Sequence, residues 1–161
     1  MRRVSMHSLR FPTRFLVVGM VVVLLGTLAG PAQARDERVT FTKWFSPGFP
    51  NMLGFVDDEP VGSFNGQVLD LVPTPDNRFI LLEAQYNVTS GNPSRSFSAV
   101  IAGEQSVQSG KAVLTGSVVS GPRTGEPVNV QFTQRTDCPG APKGVCFQGT
   151  IRIGDAATEN D

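Results

Sequence analysis

From Arg95 to Ile153 the chain runs through four short stretches rich in β-branched and aromatic residues: Arg95–Ala102, Lys111–Ser120, Glu126–Arg135 and Val145–Ile153. Gly, Pro, Ser and charged residues separate them. Alternation inside each stretch gathers one apolar face: Phe97, Ala99 and Ile101; Ala112, Leu114, Gly116 and Val118; Val128, Val130 and Phe132; then Val145, Phe147, Ile151 and Ile153. A period of two bounded by turn residues predicts sequential antiparallel strands. The pattern extends upstream. In Arg38–Phe45, Val39, Phe41, Lys43 and Phe45 alternate with Thr40, Thr42 and Trp44. Val61–Val72 reads as a strand with Gly62 and Gly66 inside it. In Arg78–Val88, the core face is Ile80, Leu82, Ala84, Tyr86 and Val88, and the other face is Phe79, Leu81, Glu83, Gln85 and Asn87. Asn51–Pro60, which carries Asp57, Asp58 and Glu59, reads as a loop.

The count is seven strands, or eight if Val61–Val72 breaks at Gly66, and no segment beyond residue 34 keeps a helical period. The predicted fold is all-β, a seven- to eight-stranded antiparallel β-barrel, with a β-sandwich as the alternative. The barrel is favoured by the length of the strands and by Gly62, Gly66, Gly116 and Gly149 within them, since strand glycines mark bulges and sharp bends.

The first 34 residues stand apart. Arg2, Arg3, Arg10 and Arg14 precede an apolar run from Phe15 to Leu28, and Ala32-Gln33-Ala34 follows. This is the order of a secretory signal peptide cleaved after Ala34. The run falls short of the roughly 20 residues a spanning helix needs, so no retained membrane span is expected. The expected location is secreted, periplasmic or at the cell surface. A single domain at 35–154 and a disordered acidic tail at 155–161 complete the organisation. Loss of the leader leaves 127 residues with 10 basic against 14 acidic side chains, a net charge of −4. That balance argues against a nucleic-acid partner.

His7, the one histidine, belongs to the leader. A mature chain without histidine has no Ser-His-Asp or Cys-His nucleophile and no His-ligated zinc. Phosphate-loop and dinucleotide signatures are absent too, so no metal, cofactor or catalytic residue is assigned. Cys138 and Cys146 flank a turn-rich Pro-Gly-Ala-Pro-Lys-Gly-Val loop, and their spacing suits a hairpin disulfide rather than a C-x-x-C redox pair. Glu83 and Gln85 share a polar strand face. If that face lines the barrel, Glu83 with Arg152 or Arg95 makes a polar cluster able to orient a ligand. Trp44 and Phe45, beside the Ser46–Pro50 loop, together with Phe49, Phe55 and Phe64, are the candidate aromatic lip of an apolar site. The candidate ligand-binding residues are thus Glu83, Gln85, Arg152 and Trp44. Asn87-Val88-Thr89 matches the glycosylation acceptor pattern.

Phe97-Ser98-Ala99-Val100-Ile101-Ala102-Gly103, Gly110-Lys111-Ala112, Leu114-Thr115-Gly116-Ser117-Val118-Val119 and Phe147-Gln148-Gly149-Thr150-Ile151 together resemble the back half of small exported bacterial proteins related to the allene oxide cyclase and dirigent barrels. The resemblance spans about Phe64 to Ile153 and implies an eight-stranded barrel and trimers packed through outer strand faces. Ile101-Ala102-Gly103-Glu104 replaces the glycine run of those families, so no catalytic residue is carried over. Three functional readings follow. The first is a non-catalytic exported barrel that binds a small apolar molecule. The second is a dirigent-like isomerase or cyclase, which needs a titratable pair inside the cavity. The third is a structural or adhesion module at the cell surface.

Overall fold

The computed structural model describes residues 37–57 and 61–154. The predicted leader at 1–34, the predicted acidic tail at 155–161, and Asp58 with Glu59 lie outside the described residues. Eight strands form: β1 (Glu37–Phe45), β2 (Asn51–Asp57), β3 (Gly62–Pro73), β4 (Phe79–Thr89), β5 (Phe97–Ser106), β6 (Lys111–Ser120), β7 (Pro127–Arg135) and β8 (Cys146–Ile153). Each pairs antiparallel with the next in sequence, and β8 pairs with β1, so the sheet closes into an up-and-down barrel. Closure consumes both edges of the sheet and removes the sandwich alternative.

The eighth strand does not come from a break in Val61–Val72, which is continuous as part of β3 apart from a bulge between Val68 and Asp70. It is β2, in the stretch whose composition reads as a loop. Met52 and Val56 are buried on the inner face of β2, and the inward position between them is Gly54. A Cβ at Gly54 would stand 2.1 Å from the Thr42 carbonyl oxygen, so a side chain there is excluded by the neighbouring strand. The same constraint acts at Gly103, where a Cβ would stand 2.2 Å from the Val113 carbonyl oxygen. That glycine lies in the part of β5 read from sequence as a connector. In both places the sharp approach of two backbones replaces the apolar residue that would have signalled a strand.

Apolar side chains fill the barrel and polar ones dominate its outer wall, the reverse of a barrel that spans lipid. At the end where β1 begins, Val39, Val56, Val88, Phe97, Val118, Val128 and Ile153 close the interior. An ion cluster seals this end. Arg123, in the β6–β7 turn, reaches Glu37 at 3.0 Å and Glu126 at 2.6 Å and donates to the Ile153 carbonyl at 3.0 Å, while Arg95 meets Glu37 at 2.7 Å. The only helical piece among the described residues is a 3-10 turn at Pro93–Arg95, and none there is long and apolar enough to cross a membrane.

Cys138 and Cys146 form a disulfide with Cα atoms 6.2 Å apart, and both are buried. Their loop folds against the outer face of β1 and β2, with Gly140 over the Phe55 ring and Trp44 beside it at 6.3 Å between ring centroids. A small outer cluster thus backs the main core.

Two changes test this account. Gly103→Ala should destabilise the barrel by about 3 kcal/mol or prevent folding, at the upper end of overpacking costs, because the obstacle is backbone. Replacing both cysteines with serine should lower unfolding free energy by about 2–3 kcal/mol, the chain-entropy expectation for so short a loop. Urea denaturation measures each.

Candidate functional site

The inward face of β1 is set by alternation: Val39, Phe41 and Phe45 must face the core, and Lys43 lies between them on the same face. A shift of one residue would expose those apolar side chains and turn Thr40, Thr42 and Trp44 inward, so the pairing register carries Lys43 into the interior. Its residue exposure is 3%. On β4 the same logic turns Ala84, Tyr86 and Val88 inward, and Lys43 Nζ donates a hydrogen bond to Tyr86 Oη.

Aromatic rings surround the amine. Nζ lies 4.2 Å from the Tyr86 ring centroid, 4.4 Å from Phe132, 5.5 Å from Phe41 and Phe147, and 5.7 Å from Phe64. These rings pack in two groups. Phe41 stacks on Phe64 at 5.6 Å, and both pack against Tyr86. Phe147 meets Phe132 at 5.5 Å and Phe45 at 5.6 Å, edge to face in both cases. Lys43 lies between the two groups.

Two electrostatic effects compete at the nitrogen. Ring faces attract a cation, each worth about 0.5–2 kcal/mol depending on desolvation. Removing an ammonium from water costs several kcal/mol unless a carboxylate compensates. Among the described residues no carboxylate pairs with Lys43. Desolvation therefore wins, and burial holds the Lys43 amine well below the usual lysine range. Burial also pushes the Tyr86 phenol above its ordinary value, which keeps it protonated. Burial thus favours the uncharged form of both partners, the amine and the phenol.

Above this pair is a cavity of about 200 Å³, lined by Lys43, Phe45, Leu82, Tyr86, Phe132 and Phe147 among others. It lies toward the end where β1 finishes. Gln105 and Gln134 give it a polar border, with Gln105 Nε2 donating to Gln134 Oε1 at 3.1 Å. The opposite end is closed by the valine layer and the Arg123 cluster, so the cavity is blind at one end.

The residues singled out by sequence lie elsewhere. Glu83 and Gln85 alternate with the inward Ala84 and Tyr86 and so face outward. Glu83 borders a shallow depression of the outer wall with Asp70, Leu81, Glu104, Val113 and Thr115, and Gln85 donates to Asn87 at 3.4 Å. Arg152 faces outward between Arg38 and Asn129, and Arg95 is engaged with Glu37 at the closed end. The proposed internal cluster of Glu83 with Arg152 or Arg95 is therefore corrected: a neighbour of an inward residue on a strand points out. Trp44 is half-buried on the outer wall beside Phe55, not at a cavity lip. Phe45, one residue later, lines the cavity. Cys138 and Cys146 meet as expected.

The residue that sequence reasoning passed over is Lys43. Its signal was a charged residue at an inward position of an otherwise apolar face. Protein-family models, characterised proteins and solved structures were all compared with the chain, and none matches.

The Lys43–Tyr86 pair makes two predictions. Tyr86→Phe should cost about 1–3 kcal/mol, since it leaves the buried amine without its oxygen partner. Lys43→Met leaves the buried Tyr86 hydroxyl without its partner and should likewise cost about 1–3 kcal/mol, and in that background Tyr86→Phe should carry no further penalty, because the double variant replaces both polar partners. A double-mutant cycle in urea reads this coupling.

The pH dependence has a defined sign. Between the depressed folded pKa of Lys43 and its ordinary value of 10.5, the unfolded chain binds the proton that the barrel excludes. Wild-type stability relative to Lys43→Met should therefore rise with pH through that window, by up to about 1.4 kcal/mol per pH unit, and be lost as pH falls. Tyr86 acts oppositely: its contribution is full below about pH 10 and is lost above, where the unfolded phenol ionises. Unfolding curves of both proteins from pH 7 to 10 isolate the lysine.

Proposed function

We propose that this chain is an exported barrel that binds one small, mostly apolar molecule in the cavity above Lys43. The observation that carries the reading is the cavity itself: about 200 Å³, aromatic and aliphatic on its walls, polar at its border and at its base. An apolar cavity of roughly 150 Å³ accommodates benzene, so the ligand class is a single-ring or short branched molecule with one polar group. Burial of apolar surface would drive binding, and Lys43, Tyr86, Gln105 and Gln134 would supply direction. Export is supported by the leader-like sequence of residues 1–34, and the Cys138–Cys146 disulfide is compatible with it.

A second reading, a dirigent-like isomerase or cyclase, is favoured by one observation. That chemistry needs a titratable pair inside the barrel, and Lys43 with Tyr86 is such a pair. The resemblance to the allene oxide cyclase and dirigent barrels, with its trimer, belongs to this reading. The surface-module reading asks for a barrel filled by its own side chains, and the cavity weighs against it.

Native mass spectrometry of protein purified from its host's exported fraction should show an added mass of a small organic molecule that is lost on denaturation. Leu82→Trp, which fills the cavity from β4, should fold and bind toluene about tenfold or more weakly than wild type, a loss of about 1.4 kcal/mol. Wild-type protein that carries no ligand and binds no apolar probe would contradict the binding reading.

A further inference from the structure

Within the binding reading, we infer that Lys43 captures a small apolar aldehyde or ketone as a covalent imine at the base of the cavity. Three observations converge. A primary amine is sited where a ligand's polar group must end, on the wall of a cavity whose other surfaces are largely apolar. A phenol is hydrogen-bonded to that amine from the facing strand. No acid pairs with the nitrogen among the described residues, so its lone pair is not committed to a salt bridge. An amine desolvated in an apolar pocket is the form of lysine that attacks carbonyl groups.

The step balances without a further reactant. The Nζ lone pair forms a bond to the carbonyl carbon, and the C=O π pair moves onto oxygen. The proton that oxygen needs comes from the nitrogen, with the Tyr86 hydroxyl placed to pass it across. The resulting carbinolamine loses its hydroxyl as water, the C–O bond breaks and C=N forms. Water leaves toward the Gln105–Gln134 border. One carbonyl compound and one amine give one imine and one water, with no change of oxidation state. If the imine takes a proton, the ring faces at 4.2 Å and 4.4 Å meet the developing cation. A saturated apolar molecule of the same size would gain none of this, so the geometry selects carbonyl compounds within the apolar class. Tyr86 is the one titratable group facing Lys43 among the described residues; Gln105 and Gln134 do not titrate.

The chain holds an internal control. Its three lysines are Lys43, Lys111 and Lys143, and the latter two are exposed. The purified protein is incubated at pH 7 with benzaldehyde and sodium cyanoborohydride, which reduces the imine to a stable amine, and the labelled residue is located by peptide mass spectrometry. Toluene, the carbonyl-free analogue, is titrated in parallel and followed by the methyl resonance of Met52, which lines the cavity. Lys43 should be labelled at least about tenfold faster than Lys111 or Lys143, since the cavity holds benzaldehyde against its amine while the exposed lysines meet the aldehyde only from dilute solution. Lys111→Met and Lys143→Met should keep both the Met52 shift with toluene and the Lys43 label, Lys43→Met should lose that label, and Tyr86→Phe should slow labelling. If toluene binds but benzaldehyde labels only Lys111, Lys143 and the N-terminus, imine capture is overturned and the binding reading stands. If neither compound shifts Met52 nor labels Lys43, both are overturned.

Discussion

The structure turns on the exclusion of water from a single amine. Closing eight strands into one barrel fixes the pairing register of β1 on both sides, against β2 and against β8. With Val39, Phe41 and Phe45 held inward, Lys43 is fixed inside the barrel at the base of the cavity, 3% exposed. Its nitrogen must be satisfied locally, and the barrel supplies a phenol and ring faces rather than a carboxylate. Each of those partners is weaker than an ion pair. The balance therefore favours loss of the proton.

The two ends of the barrel divide the remaining work. The end at Glu37 is sealed by small aliphatic residues and by the guanidinium of Arg123, which ties β1, β8 and the β6–β7 turn together. The other end carries larger aromatic side chains that leave space between them, bordered by two glutamines. The packed seal thus lies at one end and the cavity at the other. The disulfide loop supports the second end from outside, where β8 begins at Cys146 and its next residue, Phe147, lines the cavity. An outer staple thus steadies a wall of the inner site.

The barrel was legible in the alternation of Arg78–Val88, Lys111–Ser120 and Glu126–Arg135, where inward residues are apolar and outward ones mostly polar. β2 was not legible, because Gly54 interrupts its inward face, and the end of β5 was lost in the same way at Gly103. These glycines answer to a neighbouring backbone, which a single stretch of sequence does not display. Val145 was placed in the last strand but precedes it and is exposed. The site was legible only in part. Tyr86 was correctly placed on the core face, and Lys43 stood in the inward row with Phe41 and Phe45. Polar residues on the opposite face, Glu83 and Gln85, drew the functional reading instead, because grouped polar side chains suggest a pocket. In a barrel this small the interior is mostly filled, and one ionisable residue on the apolar face carries more information than several on the polar one.

The claim on which the account rests is that burial in the folded barrel holds the Lys43 amine well below the ordinary lysine range. With three lysines in the chain, carbon-13 labelling of the lysine ε positions resolves each by NMR, and Lys43→Met assigns the buried one. The account predicts that the Lys43 signal moves from the ammonium to the free-amine position well below the pH at which an ordinary lysine does so. A Lys43 signal that stays in the ammonium position at pH 7 and loses its proton only near pH 10.5 would contradict it.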